Sequence, residues 1–271
     1  MSRILIQSHR GAGVLAPENT LEAFELGWSL GTVPEADVRT TSDGVIVAFH
    51  DHNFARVVSH VAPELREMGV KSVSFDTLSQ MDVGAEHDGL SPHRAISLRE
   101  VFFVLRQQSQ RSIYLDIKDV VLEELANLVI EYEVEKQVIF ASTHYNLHRD
   151  WKRLVPSSQT LLWMGGEEQH LEKRLQELRA TDFADVSQLQ IHVRFTLEET
   201  ATFFRPSEAF LMATGEELRR RGILFQVLPW GARHPMIYRR LLELGVQSFA
   251  TDYPDVVLEV VKEFEDEWTP N

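Results

Sequence analysis

The chain contains no cysteine. That excludes disulfides, a thiolate nucleophile and any cysteine-based zinc site. No stretch approaches the ~20 consecutive apolar residues of a membrane span, so no stable membrane association is expected. The opening run Met1-Ser2-Arg3-Ile4-Leu5-Ile6-Gln7 is a short apolar segment broken at Gln7, without a secretory core or a small-residue cleavage site. A cytoplasmic protein is expected, with a periplasmic one separated from its leader as the alternative. Basic residues are scarce: 27 Lys and Arg stand against 41 Asp and Glu, a formal charge of −14. That balance repels nucleic acid and anionic membrane surfaces alike, so no nucleic-acid partner is expected. It leaves room for a small anion held by a local cation. A glycine-rich fingerprint after the first strand is also missing, which disfavours a doubly wound dinucleotide-binding sheet.

What is present is a strict alternation of strand-like and helix-like runs. The strand candidates are Ile4–Ser8, Val33–Val38, Ile113–Lys118, Val138–Ala141, Gln159–Trp163, Asp182–Val186, Ile223–Leu228 and Gln247–Thr251. Capping signals open several of the intervening stretches: Asn19 three residues before Glu22, Ser97 before Glu100 and Thr196 before Glu199. Gly31, Gly222 and Gly245 sit where helices should stop. Eight strands with helices between them predict a (β/α)8 (TIM) barrel. The 271 residues suit one such domain, 1–271, with 44% hydrophobic content for its core.

A ninth run, Val45–Phe49, follows Val33–Val38 after only Thr41-Ser42-Asp43-Gly44. So short a link cannot make a parallel crossover, so the run must return as an antiparallel hairpin. A turn centred on Ser42-Asp43 sets residue 35 opposite residue 50, and one centred on Asp43-Gly44 sets residue 37 there. Either register puts His50 across from a carboxylate. From His52 to about Ala95 the rhythm breaks. This segment reads as an insertion capping one rim, with a helix-like piece around Thr77–Met81 and a polar string Glu86-His87-Asp88-Gly89 at its end. The acidic tail Glu263–Asn271 is expected to fray.

Four islands fall at the C-terminal ends of strand candidates, where barrel enzymes carry their sites. Ser8-His9-Arg10-Gly11, followed by Pro17-Glu18-Asn19-Thr20, offers a proton-transfer group beside a guanidinium fork suited to phosphate. By itself that pair reads more readily as a His packed under a loop and a solvated Arg. In Pro34-Glu35-Ala36-Asp37-Val38, alternation points Glu35 and Asp37 the same way. Two inward carboxylates need a cation, and oxygen-only ligands suit Mg²⁺, Ca²⁺ or Mn²⁺ better than zinc. Val47-Ala48-Phe49-His50-Asp51 adds a second histidine that Asp51 can orient. Tyr114-Leu115-Asp116-Ile117-Lys118 puts Asp116 and Lys118 on one face, as an ion pair or as a metal ligand beside a phosphate clamp.

Taken together and in order, His9-Arg10-Gly11, Pro17-Glu18-Asn19-Thr20, Glu35-Ala36-Asp37-Val38, Ser42-Asp43-Gly44, His50-Asp51, Leu115-Asp116-Ile117-Lys118 and Thr251-Asp252-Tyr253-Pro254 resemble the signature of the glycerophosphodiester phosphodiesterases. The resemblance covers essentially the whole chain. It implies a (β/α)8 barrel that hydrolyses a small glycerophosphodiester to glycerol phosphate and an alcohol. It implies His9 and His50 as the acid–base pair, and Glu35, Asp37 and Asp116 as ligands of one divalent cation, Mg²⁺ or Ca²⁺ first and Mn²⁺ next. Arg10 and Lys118 take the place of its phosphate contacts, and Trp230 that of a pocket wall. The nucleophile is either water or the substrate's own glycerol hydroxyl, the latter giving a cyclic phosphate. Which histidine acts as base stays open. Two departures stand out: the family's third ligand is usually Glu, and its seventh strand usually ends in a Trp-Thr-x-Asn-like stretch where this chain has Val227-Leu228-Pro229-Trp230-Gly231. His144, His148 and His234 are read as surface residues. The alternatives are lysophospholipase D-type cleavage of lysophospholipids, and a barrel that binds phosphate esters without catalysis. The sequence carries no signal for oligomeric state.

Overall fold

The computed structural model describes residues 4–85, 92–197 and 202–268. Ten strands lie among them: β1 (Leu5–Ser8), β2 (Val33–Thr40), β3 (Ile46–Ala48), β4 (Ile113–Asp119), β5 (Val138–Ser142), β6 (Gln159–Met164), β7 (Gln188–Leu197), β8 (Thr202–Arg205), β9 (Leu224–Pro229) and β10 (Ser248–Thr251). All but β3 and β8 form a closed parallel barrel in which helices separate successive strands. The expected (β/α)8 fold is therefore present. β3 and β8 are antiparallel additions to β2 and β7. The principal helices are α1 (Leu21–Ser29), α4 (Leu98–Arg106), α5 (Leu122–Glu131), α6 (Tyr145–Leu154), α7 (Glu168–Arg179), α8 (Glu208–Arg221), α9 (Pro235–Glu243) and α10 (Pro254–Trp268), and the short α2 (Pro63–Arg66) and α3 (Phe75–Ser79) belong to the insertion. None of the described helices is long and apolar enough to cross a membrane.

Local chemistry explains most element ends. Ser97 and Glu100 form a full capping box at α4. Gly222 closes α8 in the left-handed conformation, φ 71°. The cap of α1 is Thr20, whose hydroxyl accepts from the Ala23 amide at 3.2 Å, and not the expected Asn19.

The chain packs as two compact units, one holding Ser8–Phe140 with Trp151–Ser158, the other the remaining described residues. In the second unit, β7 corrects the sequence reading. The stretch Asp182–Val186 is a turn with Asp182, Phe183 and Asp185 at positive φ, and the strand begins only at Gln188. Its alternation is clean: Leu189, Ile191 and Val193 join the apolar core, while Gln188, Gln190 and His192 share the other face. Glutamines there gave the run a polar look. They are buried because they satisfy one another. Gln190 donates to Gln226, and Gln226 donates to Ser248 Oγ at 2.9 Å. Thr196 starts no helix. It pairs with Phe203 in a β7–β8 hairpin, and Glu199 lies outside the described residues. The acidic tail does not fray as far as Trp268: it is the end of α10, with Phe264 buried and Glu267 accepting from Arg239 Nη2 at 2.7 Å. His144 and His234 are exposed as expected, but His148 is fully buried in α6. Burial pushes its pKa down to about 4, so the ring is neutral at pH 7, with Nε2 3.0 Å from the Ser142 carbonyl oxygen.

In the first unit the insertion has its own apolar cluster. Val47 and Phe49 from the hairpin arm pack with Phe54, Val57, Val58, Val70, Val73 and Leu78. The helix expected near Thr77–Met81 is α3, shifted to Phe75–Ser79 because Ser74 caps it through the Thr77 amide. The string Glu86-His87-Asp88-Gly89 lies outside the described residues. Phe54 is fully buried and meets Phe49 edge-on, centroids 5.6 Å apart. Phe54→Ala should therefore destabilise the protein by about 3–5 kcal/mol, read as a lowered urea midpoint. A change within error of zero would show that the insertion contributes nothing to the cooperative fold.

Candidate active site

The site is built from strand ends of the first unit. β1 ends at Ser8, and the chain turns sharply: Arg10 has φ 53° and Gly11 φ 111°. A side chain at Gly11 would place its Cβ 2.6 Å from that of Ala23, so only glycine fits under α1. The turn presents His9 and Arg10. It continues to Glu18, which accepts from Arg10 Nη1 at 2.8 Å. Asn19 follows, also left-handed at φ 57°. Its Nδ2 donates to Asp37 Oδ2 at 2.8 Å, and its Oδ1 accepts from the Asp37 amide at 2.9 Å. Glu18 and Asn19, which in the sequence read only as motif and cap, hold Arg10 and Asp37 in place. The available signal was an Asn of turn type followed directly by Thr20, a sufficient cap of its own.

β2 and β4 pair in parallel with Asp37 directly beside Asp116. Glu35, Asp37 and Asp116 are all buried, and their nearest carboxylate oxygens lie within 4.8 Å of one another. One ammonium faces them: Lys118 Nζ is 2.6 Å from Asp116 Oδ2 and 3.1 Å from Asp37 Oδ1. Burial works against the charge on Asp37, but Lys118, His50 and His9, with the Asn19 amide, outweigh it and hold the group below its usual range. Asp116 goes the other way. Burial, with repulsion from Glu35 and Asp37, pushes it up to about 6 despite Lys118. Lys118 is held above the ordinary ammonium range, its burial outweighed by Asp37 and Asp116. Three buried carboxylates against one Lys leave a negative excess that fits a divalent cation bound through oxygen. His9 stands at the edge of this set, Nε2 3.9 Å from Glu35 Oε2.

His50 arrives on the returning arm, in neither expected register. The loop is three residues, Ser42-Asp43-Gly44, closed by a Thr41 amide donating to the Val45 carbonyl, with Gly44 at φ 82°. Val38 then pairs with Ala48, and the Phe49 amide donates to the Asp37 carbonyl at 2.7 Å. Continued one step, that register sets His50 opposite Ala36. The histidine still reaches the site: β3 ends at Ala48, two residues before it, and bends follow from Asp51. Nδ1 of His50 lies 2.7 Å from Asp51 Oδ1, and Arg10 Nη2 is 3.0 Å from Nε2. Arg39 donates twice to the His50 carbonyl, at 2.8 and 3.1 Å. Burial, with Arg10 and Lys118 close by, lowers the His50 pKa although Asp37 and Asp51 pull it up.

Seven of the eight expected site residues thus come together: His9, Arg10, Glu35, Asp37, His50, Asp116 and Lys118. The eighth, Trp230, belongs to the second unit, where it follows β9, is 46% exposed and meets His192 edge-on at 5.4 Å between centroids. His192 stacks in turn on Trp163 at 5.0 Å.

Comparison with known proteins agrees with this construction. Residues 9–256 match the model of the Glycerophosphoryl diester phosphodiesterase family. An uncharacterised protein of Bacillus subtilis, YqiK, is 30% identical over 95% of this chain and 98% of its own length. A glycerophosphodiester phosphodiesterase of Caldanaerobacter subterraneus is 25% identical over 96% and 98%. The crystal structure of a putative glycerophosphoryl diester phosphodiesterase from Silicibacter pomeroyi superposes with a TM-score of 0.77 at 20% identity, covering 97% of this chain and 94% of that one, and shares the fold. The chain belongs to the glycerophosphoryl diester phosphodiesterase family.

Proposed function

We propose that this enzyme hydrolyses glycerophosphodiesters to glycerol phosphate and an alcohol, with one divalent cation held by Glu35, Asp37 and Asp116 and with His9 and His50 as the acid–base pair. The observation that carries the reading is the convergence of three buried carboxylates with two histidines and a guanidinium in one place. A bound cation would neutralise the buried negative charge and polarise a phosphoryl oxygen. Mg²⁺ or Ca²⁺ suits the all-oxygen donor set best, and Mn²⁺ next.

The chain's own residues supply the rest. Arg10 keeps a buried Nε that has no hydrogen-bond partner among the described residues, a donor that a phosphate oxygen would satisfy. Arg10 and Lys118 stabilise the charge that grows on phosphorus-bound oxygens as the nucleophile adds. One histidine takes the proton from the nucleophile, water or the substrate's glycerol hydroxyl. The other gives a proton to the leaving alcohol oxygen, which exchanges the protons of the pair. With the glycerol hydroxyl as nucleophile this step yields a cyclic phosphate, which water opens to glycerol phosphate with the two histidine roles reversed. Trp230 is proposed as a wall of the substrate pocket.

Purified protein should turn over glycerophosphocholine or glycerophosphoethanolamine, lose activity with chelator and regain it with Mg²⁺ or Ca²⁺. Full activity in a metal-free sample would remove the cation from the mechanism. Faster turnover of a lysophospholipid than of either water-soluble diester would favour lysophospholipase D chemistry, and binding without turnover a non-catalytic barrel.

His9→Ala and His50→Ala should each lower kcat by about 10²–10⁴-fold with the fold intact. Near-parental turnover in either variant would take that histidine out of the acid–base pair.

The Asp116 pKa sets a pH dependence. In the ion-free fold this carboxyl titrates at about 6, above its usual range. Its ionisation therefore costs stability as pH rises through that value, and below it a cation must displace a proton. The rise in Tm given by Mg²⁺ should be small at pH 5 and full by pH 7.5, and Asp116→Asn should flatten that dependence and weaken ion binding. An equal ion-induced shift at both pH values in the parent protein, read by scanning calorimetry, would show that Asp116 is no ligand. It would then be the ion-pair partner of Lys118 alone.

A further inference from the structure

We infer that Arg56, in the insertion after β3, is a positioning residue that locks His50 and Arg10 into a single acid–base and phosphate-binding unit. The inference rests on the function proposed above. Arg56 donates to two carboxylates at once. Its Nε and Nη2 reach Asp51 Oδ2 and Oδ1 at 2.7 and 2.9 Å. Its Nη1 and Nη2 reach Glu18 Oε2 and Oε1 at 2.8 and 2.7 Å. Each carboxylate carries a second duty. Asp51 Oδ1 also takes the His50 Nδ1 contact, and Glu18 Oε2 also accepts from Arg10 Nη1. Arg10 Nη2 then meets His50 Nε2 at 3.0 Å, which closes a ring: Arg56, Asp51, His50, Arg10, Glu18 and back to Arg56.

The ring has a chemical logic. A carboxylate on Nδ1 requires the proton there, so Nε2 is the lone-pair nitrogen, and it faces the phosphate-binding guanidinium. Asp51 fixes the tautomer only while its own rotamer is fixed, and Arg56 fixes it through two parallel bonds. The same planar fork sets the Glu18 carboxylate that aims Arg10. Two guanidinium groups and two carboxylates cancel, so with a neutral His50 the ring is formally neutral. Only a guanidinium can do this, because an ammonium is a point donor and cannot serve both carboxylates in plane. The two ends of the ring come from segments far apart in sequence, the β1 turn and the insertion.

The test uses the full-length protein in four variants, Arg56→Ala, Arg56→Lys, Asp51→Asn and Glu18→Gln. The readouts are kcat and KM for a glycerophosphodiester, affinity for inorganic phosphate by calorimetry, and Tm. Arg56→Ala should lower kcat about 10–100-fold and weaken both KM and phosphate affinity, while exogenous guanidinium restores part of the turnover. Arg56→Lys should keep the charge and recover little. Asp51→Asn should act mainly on kcat, and Glu18→Gln mainly on KM and phosphate affinity, so the Arg56 defect combines the two. A staple that only holds the insertion in place would lower Tm and the active fraction with KM and phosphate affinity unchanged, without guanidinium rescue, and that result overturns the proposal. If Arg56→Ala does not fold, Arg56→Lys carries the same readouts. A parent protein that turns over no diester refutes the function reading instead. Phosphate affinity then decides the role of Arg56 separately, and an unchanged affinity in Arg56→Lys, or no phosphate binding by the parent, overturns it.

Discussion

Glu35, Asp37 and Asp116 bring three negative charges within 4.8 Å of one another where water is nearly excluded. Such a set is costly to assemble, and the surrounding structure is arranged to hold it. The β2–β4 register puts Asp37 and Asp116 side by side and leaves neither a way to move apart. Asn19 grips Asp37 by side chain and backbone together. Lys118 offsets one charge, and the strain that remains is visible in Asp116, whose carboxyl is pushed up to about 6. The apolar cluster of the insertion anchors Val47 and Phe49 of the hairpin arm, and Gly11 packs directly against Ala23 of α1.

Beside this negative cluster lies a group of opposite design. Arg10, Glu18, His50, Asp51 and Arg56 hold their charges in matched pairs with short, directed hydrogen bonds. One region is unbalanced and calls for a cation; the other is balanced and keeps its donors aimed. A phosphodiester is an anion with a leaving group, and it needs both a positive charge to meet and a fixed proton donor. The separation of the two tasks onto different carboxylates explains why a chain of charge −14 can still handle an anionic substrate.

Much of this was legible in the sequence because alternation is a hard rule in strands. Glu35 with Asp37, and Asp116 with Lys118, could be placed on common faces from spacing alone, and the short link Thr41–Gly44 required a hairpin. What was not legible depended on side chains finding each other over distance. Asn19 looks like a cap until Asp37 is seen beside it. The hairpin register turned on one residue of loop length, which Thr41 and Gly44 settle through backbone geometry. β7 was misplaced because its inward glutamines are polar by type yet buried by mutual hydrogen bonding. His148 reads as a surface group in the sequence because nothing local marks a helix histidine that bonds a buried carbonyl.

The pair Asp116 and Lys118 shows how two readings of one motif can both hold. Asp116 is one methylene shorter than the glutamate usual in the family, which keeps its carboxylate close to the strand. Lys118, two residues on and on the same face, reaches over it and bridges to Asp37. Without a cation the ammonium is the local counter-charge, and the motif is an ion pair. A cation held by the carboxylates would make that service redundant, because a dication repels an ammonium. On the function proposed above, Lys118, on its flexible stem, would then be available to an anion. On that reading the ion pair is the resting form of the proposed phosphate clamp.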